Sequence, residues 1–169
     1  MHALCELTRQ YAPLVGRIMI AIVFLSSAWG KLTGFDATAG AMAGRGMPIP
    51  QVLLVLAIAI ELAGSVLLVI GWQTRWAALA LAVFLTVASL YFHNYWSYPP
   101  DQQRNQRNHF MKNVGFVGGL IFIMGMGAGP LALDSARRNA IRSDRSWALK
   151  PRSRFRLVAS DGRLTKPPA

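Results

Sequence analysis

The stretch VLLVLAIAIELAGSVLLVI, residues 52–70, decides how the rest of the chain is read. It runs nineteen residues with one charged side chain, Glu61, at its middle. A bilayer core takes about 20 apolar residues to cross as a helix. An ionisable group at the centre of such a span costs at least about 2.5 kcal/mol in insertion assays, so it is expected to face the protein interior and find a partner there. Helical spacing agrees. Ala57, Glu61, Gly64, Ser65 and Leu68 fall on one face, and its small residues allow a neighbouring backbone to come close.

Three more segments have spanning length, giving four spans at about 14–32, 52–70, 76–95 and 110–129. Isolated strands would leave backbone groups unpaired in lipid, so the expected fold is all-α, an integral membrane four-helix bundle. Trp29, Trp72, Trp76, Tyr95, Trp96 and Tyr98 sit near span ends, as an interfacial aromatic belt requires. Pro50 suits a helix start, and Gly71–Arg75 is short enough to make spans two and three antiparallel neighbours. One competing reading is a signal peptide built from Arg17, the apolar run 18–25 and the small residues 26–28. The long, weakly charged segment before it and the apolar residues after Ala28 argue against cleavage.

The 169 residues divide into an N-terminal segment 1–13, a membrane domain 14–134 and a tail 135–169. Formal charge is +11, and ten of the eighteen Lys and Arg follow Pro130. With both ends inside, the cytoplasmic side holds Arg9, Arg17, Arg75 and those ten, against Lys31, Arg45, Arg104, Arg107 and Lys112 outside. That bias favours an N-in/C-in topology with a basic cytoplasmic tail. The tail is rich in Arg and Ser and poor in apolar residues, so disorder or membrane skimming is expected, with anionic lipid as its partner. A basic total without a folded, aromatic-lined face does not point to nucleic acid. The single cysteine, Cys5, excludes an intramolecular disulfide, and three histidines are too few for a haem or di-metal bundle site.

On span three, Ala82, Thr86, Ser89 and His93 form a polar-to-small stripe, with Leu81, Val83, Leu85 and Leu90 expected to face lipid. In the assigned topology Lys31, His93, Lys112 and Asn113 gather at the outer helix ends. Glu61 lies about nine residues deep on span two, on the order of 13 Å. The expectation is an outward-opening cavity, with Glu61 and His93 as proton or ligand groups and Asn113, Lys31 and Lys112 completing a cofactor-binding set. Snorkelling to head groups is the alternative role for Lys31 and Lys112. For Asn113 it is capping or bridging helices, for His93 a structural place at the interface, and for Glu61 an interhelical hydrogen bond.

Several of these residues recur as an ordered set: Gly16-Arg17 and Trp29-Gly-Lys-Leu32 at the two ends of span one, Gly46-Met-Pro-Ile-Pro50, and Glu61-Leu-Ala-Gly64. His93, Lys112-Asn113 and Gly127-Ala-Gly-Pro130 through Asp134 complete it. Over about 14–134 the chain resembles the DoxX family of small four-helix membrane proteins. The resemblance implies a multi-pass bacterial inner-membrane protein, tied through relatives to quinone-linked oxidase systems, thiol redox and oxidative stress. With the inward carboxyl and polar stripe it makes a subunit of a membrane redox system, contacting quinone as the possible cofactor or a soluble redox enzyme as partner, the leading expectation, and an oligomer stays open. Catalysis itself does not follow from it. Two rival classes are a scaffold recruiting a soluble partner and a small permease, the latter disfavoured by the absence of a broken-helix pair.

Overall fold

The computed structural model describes residues 1–148. Its helices are α1 (His2–Thr33), α2 (Phe35–Ala43), α3 (Pro50–Ile70), α4 (Thr74–Phe92), α5 (Pro100–Met126) and α6 (Leu133–Ala148), with a 3₁₀ turn at Tyr95–Ser97. Four of them, α1, α3, α4 and the helix beginning at Pro100, are long and apolar enough to cross a membrane. Neighbours pack in the order α1 on α3, α3 on α4 and α4 on α5. The outward faces carry Val52, Val55, Leu56 and Val66 of α3 and Ile121 and Phe122 of α5, all exposed. Such surface is stable only against lipid or another protein.

The turns explain the register. α3 opens on Pro50 at its first position, where the missing N–H would have been unpaired anyway. It closes on Gly71, whose φ of +74° lies in the left-handed region glycine tolerates, with the N–H of both Gly71 and Trp72 bonded to the Leu67 carbonyl. α4 starts three residues later. The two helices are therefore adjacent and antiparallel, as the short turn predicts.

The core is built from small residues with a few large ones set between them. Phe24 of α1, Leu68 of α3, Ala77, Ala78, Leu81 and Ala82 of α4, and Leu120 of α5 form one buried cluster. Leu81, expected to face lipid, is fully buried, because it fills the space left by Gly64. A Cβ on Gly64 would lie 2.7 Å from Leu81 Cγ. Leu85 is half-buried, whereas Val83 and Leu90 face outward as expected. Thr86, placed on the inward stripe by spacing, is exposed.

Several boundaries differ from the sequence reading. α1 starts at His2, so the segment 1–13 is helical and continuous with the first span, through Pro13. α4 ends at Phe92, and α5 begins ten residues before the apolar run, with Pro100 at its first position and Asp101 in its first turn. Both residues favour a helix N-terminus. α2 is an additional short helix whose Ala39 and Met42 pack on Leu54 and Ile58 of α3. Of the tail from residue 135, expected to be disordered or to skim the membrane, the part through Ala148 is helical, and the remainder lies outside the described residues. Its first turn is held by the bundle: Asp134 accepts the N–H of Gln73 and Thr74 at 2.9 and 3.0 Å, and Ser135 Oγ donates to the Gly129 carbonyl. Local composition could not show that anchorage.

Candidate functional site

Glu61 stands one turn before Gly64 on the α3 face that packs against its neighbours, and only 2% of it is exposed. Opposite it, Ser27 and Lys31 are four residues apart on α1 and so share a helix face. Lys31 Nζ lies 2.9 Å from both Glu61 carboxylate oxygens and 2.5 Å from Ser27 Oγ. Ser27 Oγ donates to Glu61 Oε1 at 2.9 Å. Three donor contacts thus converge on one buried carboxylate. The lysine does not snorkel away: its stem reaches inward, although its side chain stays 23% exposed against 3% for Glu61. A charge inside a bundle is tolerable when paired and hydrogen-bonded in this way. Ser27 carried no label in the sequence beyond its spacing from Lys31, which could have flagged it.

The remaining candidates form other groups. His93 caps α4, its Nδ1 at 2.8 Å from Gln106 Oε1 and its ring stacked on His109 with centroids 5.0 Å apart. His109 sits on α5, and its Nδ1 faces Lys112 Nζ at 3.5 Å. Lys112 is exposed. Asn113 Nδ2 donates to Ser89 Oγ at 2.9 Å, and Ser89 in turn donates to the Leu85 carbonyl at 2.6 Å. Asn113 therefore does bridge helices, and beside it runs a cleft of about 170 Å³ lined by Thr86, Ser89, Leu90, Phe110, Asn113, Val114 and Val117. The five expected site residues thus separate into Lys31 with Glu61 between α1 and α3, and His93, Lys112 and Asn113 along α4 and α5. Neither Lys31 nor Glu61 lines the cleft.

A third polar centre lies at the other end of the bundle. Arg17 is 1% exposed and donates to the Pro13, Leu68 and Leu131 carbonyls at 3.3, 2.8 and 2.6 Å. It thereby satisfies carbonyls at the end of α3 and in the segment after α5, where backbone acceptors lack intrahelical donors. The neighbouring Asp134 lies outside the spans. Burial works against its carboxylate, but the N–H groups of Thr74 and Gln73, helped by the charge of Arg138, outweigh it and hold its pKa below the ordinary value. This centre fastens helix ends together.

The family model for DoxX matches residues 12–94, which takes in α1 from its residue 12, all of α2 to α4, and both members of the Lys31–Glu61 pair. The inner membrane protein YqjF of Escherichia coli is 31% identical over 121 residues, covering 72% of this chain and 88% of that protein. The inner membrane protein YphA of the same organism is 29% identical over 121 residues, covering 72% and 86%. The ER-derived vesicles protein ERV29 of Saccharomyces cerevisiae is 23% identical over 128 residues, covering 76% of this chain and 34% of that protein. No solved structure matches. A four-span helical architecture aligned over nearly the whole length of inner-membrane relatives places the chain: it belongs to the DoxX family and is a multi-pass inner-membrane protein.

Proposed function

We propose that the chain is a subunit of a membrane redox system and receives a quinone head group in the cleft between α4 and α5, with both chain ends on the cytoplasmic side. The observation that carries this reading is the cleft itself, apolar at Leu90, Phe110, Val114 and Val117 but polar at Asn113, Ser89 and Thr86. Ligand sites of this kind combine an apolar wall with a few placed polar groups. Quinone carbonyls only accept hydrogen bonds, so the donors available matter. Thr86 and Ser89 spend their hydroxyl protons on the Ala82 and Leu85 carbonyls. Asn113 spends one N–H on Ser89 and has a second to give. Phe110 supplies a ring face for stacking. A bound quinone supplies two-electron, two-proton chemistry, and its electrons come from a partner redox protein. In this reading Glu61 and Lys31 form a fixed charge pair behind the cleft helices, holding α1 to α3.

Quinone retained by the purified chain in nanodiscs, measured for wild type, Asn113→Phe and Glu61→Gln, tests the reading. Wild type retains ubiquinone, and Asn113→Phe, which fills the cleft, loses it. Retention unchanged by Asn113→Phe, or no retention by wild type, overturns it. Loss with Glu61→Gln alone moves the site to the Lys31–Glu61 pair.

A further inference from the structure

We propose that α6, together with the first turn of α4, is a binding surface for anionic phospholipid head groups of the leaflet at that end of the bundle. The inference is independent of the quinone reading.

The first argument is position. Only residues 127–132 separate α6 from the end of α5, so α6 cannot start far from the membrane boundary. Its first turn is bonded to the turn between α3 and α4: Asp134 accepts the N–H of Gln73 and Thr74, and its own N–H donates to the Gly71 carbonyl at 2.9 Å. Trp72 and Trp76, 51% and 69% exposed, mark the same level on the α3–α4 turn and α4. Exposed tryptophans at span ends sit at the head groups.

The second argument is the distribution of side chains. At 100° per residue Leu133, Ala136, Ala140 and Ile141 share one side of α6. Leu133 and Ile141 are large and exposed. Arg138 points to the opposite side, and Arg137, among the apolar residues, can lay its stem along them while its guanidinium reaches outward. Arg75 of α4 is also exposed and lies beside Gly127 at the end of α5. Asp134, the acid of this junction, has both carboxylate oxygens engaged. The result is a surface of positive charge with an apolar edge, held at membrane level. That combination suits a helix lying in the interface among phosphates. Nucleic acid would meet the same charge but leave Leu133 and Ile141 in water.

The test is amide hydrogen exchange across residues 133–148 in the full chain. It compares nanodiscs of phosphatidylcholine with nanodiscs of phosphatidylcholine and phosphatidylglycerol in equal parts. Protection of α6 rises at least about tenfold with phosphatidylglycerol and falls back in about 1 M salt, where the screening length is ~3 Å. The Arg75→Gln/Arg137→Gln/Arg138→Gln variant loses the rise while exchange in α3 and α4 stays as in wild type, showing an intact bundle. Equal protection in both discs, or a lipid-dependent rise that survives in the variant, overturns the proposal.

Discussion

Removing the ammonium from the Lys31–Glu61 pair should cost far more than neutralising the carboxylate. In Lys31→Met the Glu61 carboxylate loses the 2.9 Å contacts at both oxygens and keeps the single Ser27 hydroxyl, while remaining about 2% exposed. Breaking a buried ion pair from one side costs about 3–5 kcal/mol, because the remaining charge has no water to turn to. Glu61→Gln leaves Lys31 instead, a side chain already 23% exposed on a stem long enough to reach water. Its amide still accepts from Ser27, so the loss is about 1–2 kcal/mol. Lys31→Met with Glu61→Gln removes both charges while the side-chain amide still accepts from Ser27, and should lose no more than Glu61→Gln alone, about 1–2 kcal/mol. The coupling between the two positions then equals nearly the whole Lys31→Met loss, about 3–5 kcal/mol. Reversible unfolding in mixed micelles, or steric trapping in bicelles, measures all four proteins. A Lys31→Met variant no less stable than Glu61→Gln, or single losses that simply add in the double variant, would refute the argument that the pair is one buried unit.

Three other outcomes follow from the packing of the bundle. Gly64→Ala should destabilise the bundle by about 1–3 kcal/mol, since its Cβ would meet Leu81 Cγ at 2.7 Å, and Leu81→Ala should relieve part of that loss in the double variant by the same unfolding assay. Arg17→Met should leave the Leu68 and Leu131 carbonyls without their donors, at about 1–3 kcal/mol each; Arg17→Lys should rescue little, because one ammonium cannot reproduce the guanidinium fork, and exchange at the ends of α3 and α5 reports the loosening. Asp134 has a folded pKa below its unfolded value of about 3.9, so its stabilisation is complete above that value and disappears as pH falls through the folded pKa. Thermal unfolding of wild type should therefore drop across this acid window more steeply than that of Asp134→Asn, which lacks the contribution at every pH.

The spans were legible because a bilayer imposes a length, and the lengths of the apolar runs around Glu61, Leu81 and Leu120 meet it. The inward direction of Glu61 was legible for the same reason, as a charge at that depth must be paired. Its partner was not, because Lys31 is equally suited by composition to snorkel, and only the crossing of α1 over α3 decides between the two. Leu81 shows the complementary failure. Spacing put it on the lipid side of α4, but Gly64 on the facing helix opens a hole that only a large side chain fills, and a pattern on one helix does not contain the shape of another. The helical tail has a third cause. Residues after Asp134 have little apolar content, yet their first turn is bonded to residues 71, 73 and 74, some sixty positions earlier in the chain.

The placement of polar groups divides the bundle into two halves of different character. Between α1 and α3 the buried charges are consumed: Lys31, Ser27 and Glu61 saturate one another, and Arg17 spends its donors on carbonyls at the helix ends. Such a half is rigid, since any sliding of α1 on α3 would expose an unpaired charge to an apolar surround. Between α4 and α5 the polar groups that line the cleft, Thr86, Ser89 and Asn113, are neutral, and the charged Lys112 is exposed outside it. Rearranging a neutral amide–hydroxyl contact costs about 1 kcal/mol, so this half can adjust to an occupant without disturbing the other. A ligand site and a fastening site make opposite demands on side chains. Under the proposed quinone reading this chain would meet them by keeping its buried ion pair between α1 and α3 and its neutral, adaptable groups at the cleft between α4 and α5.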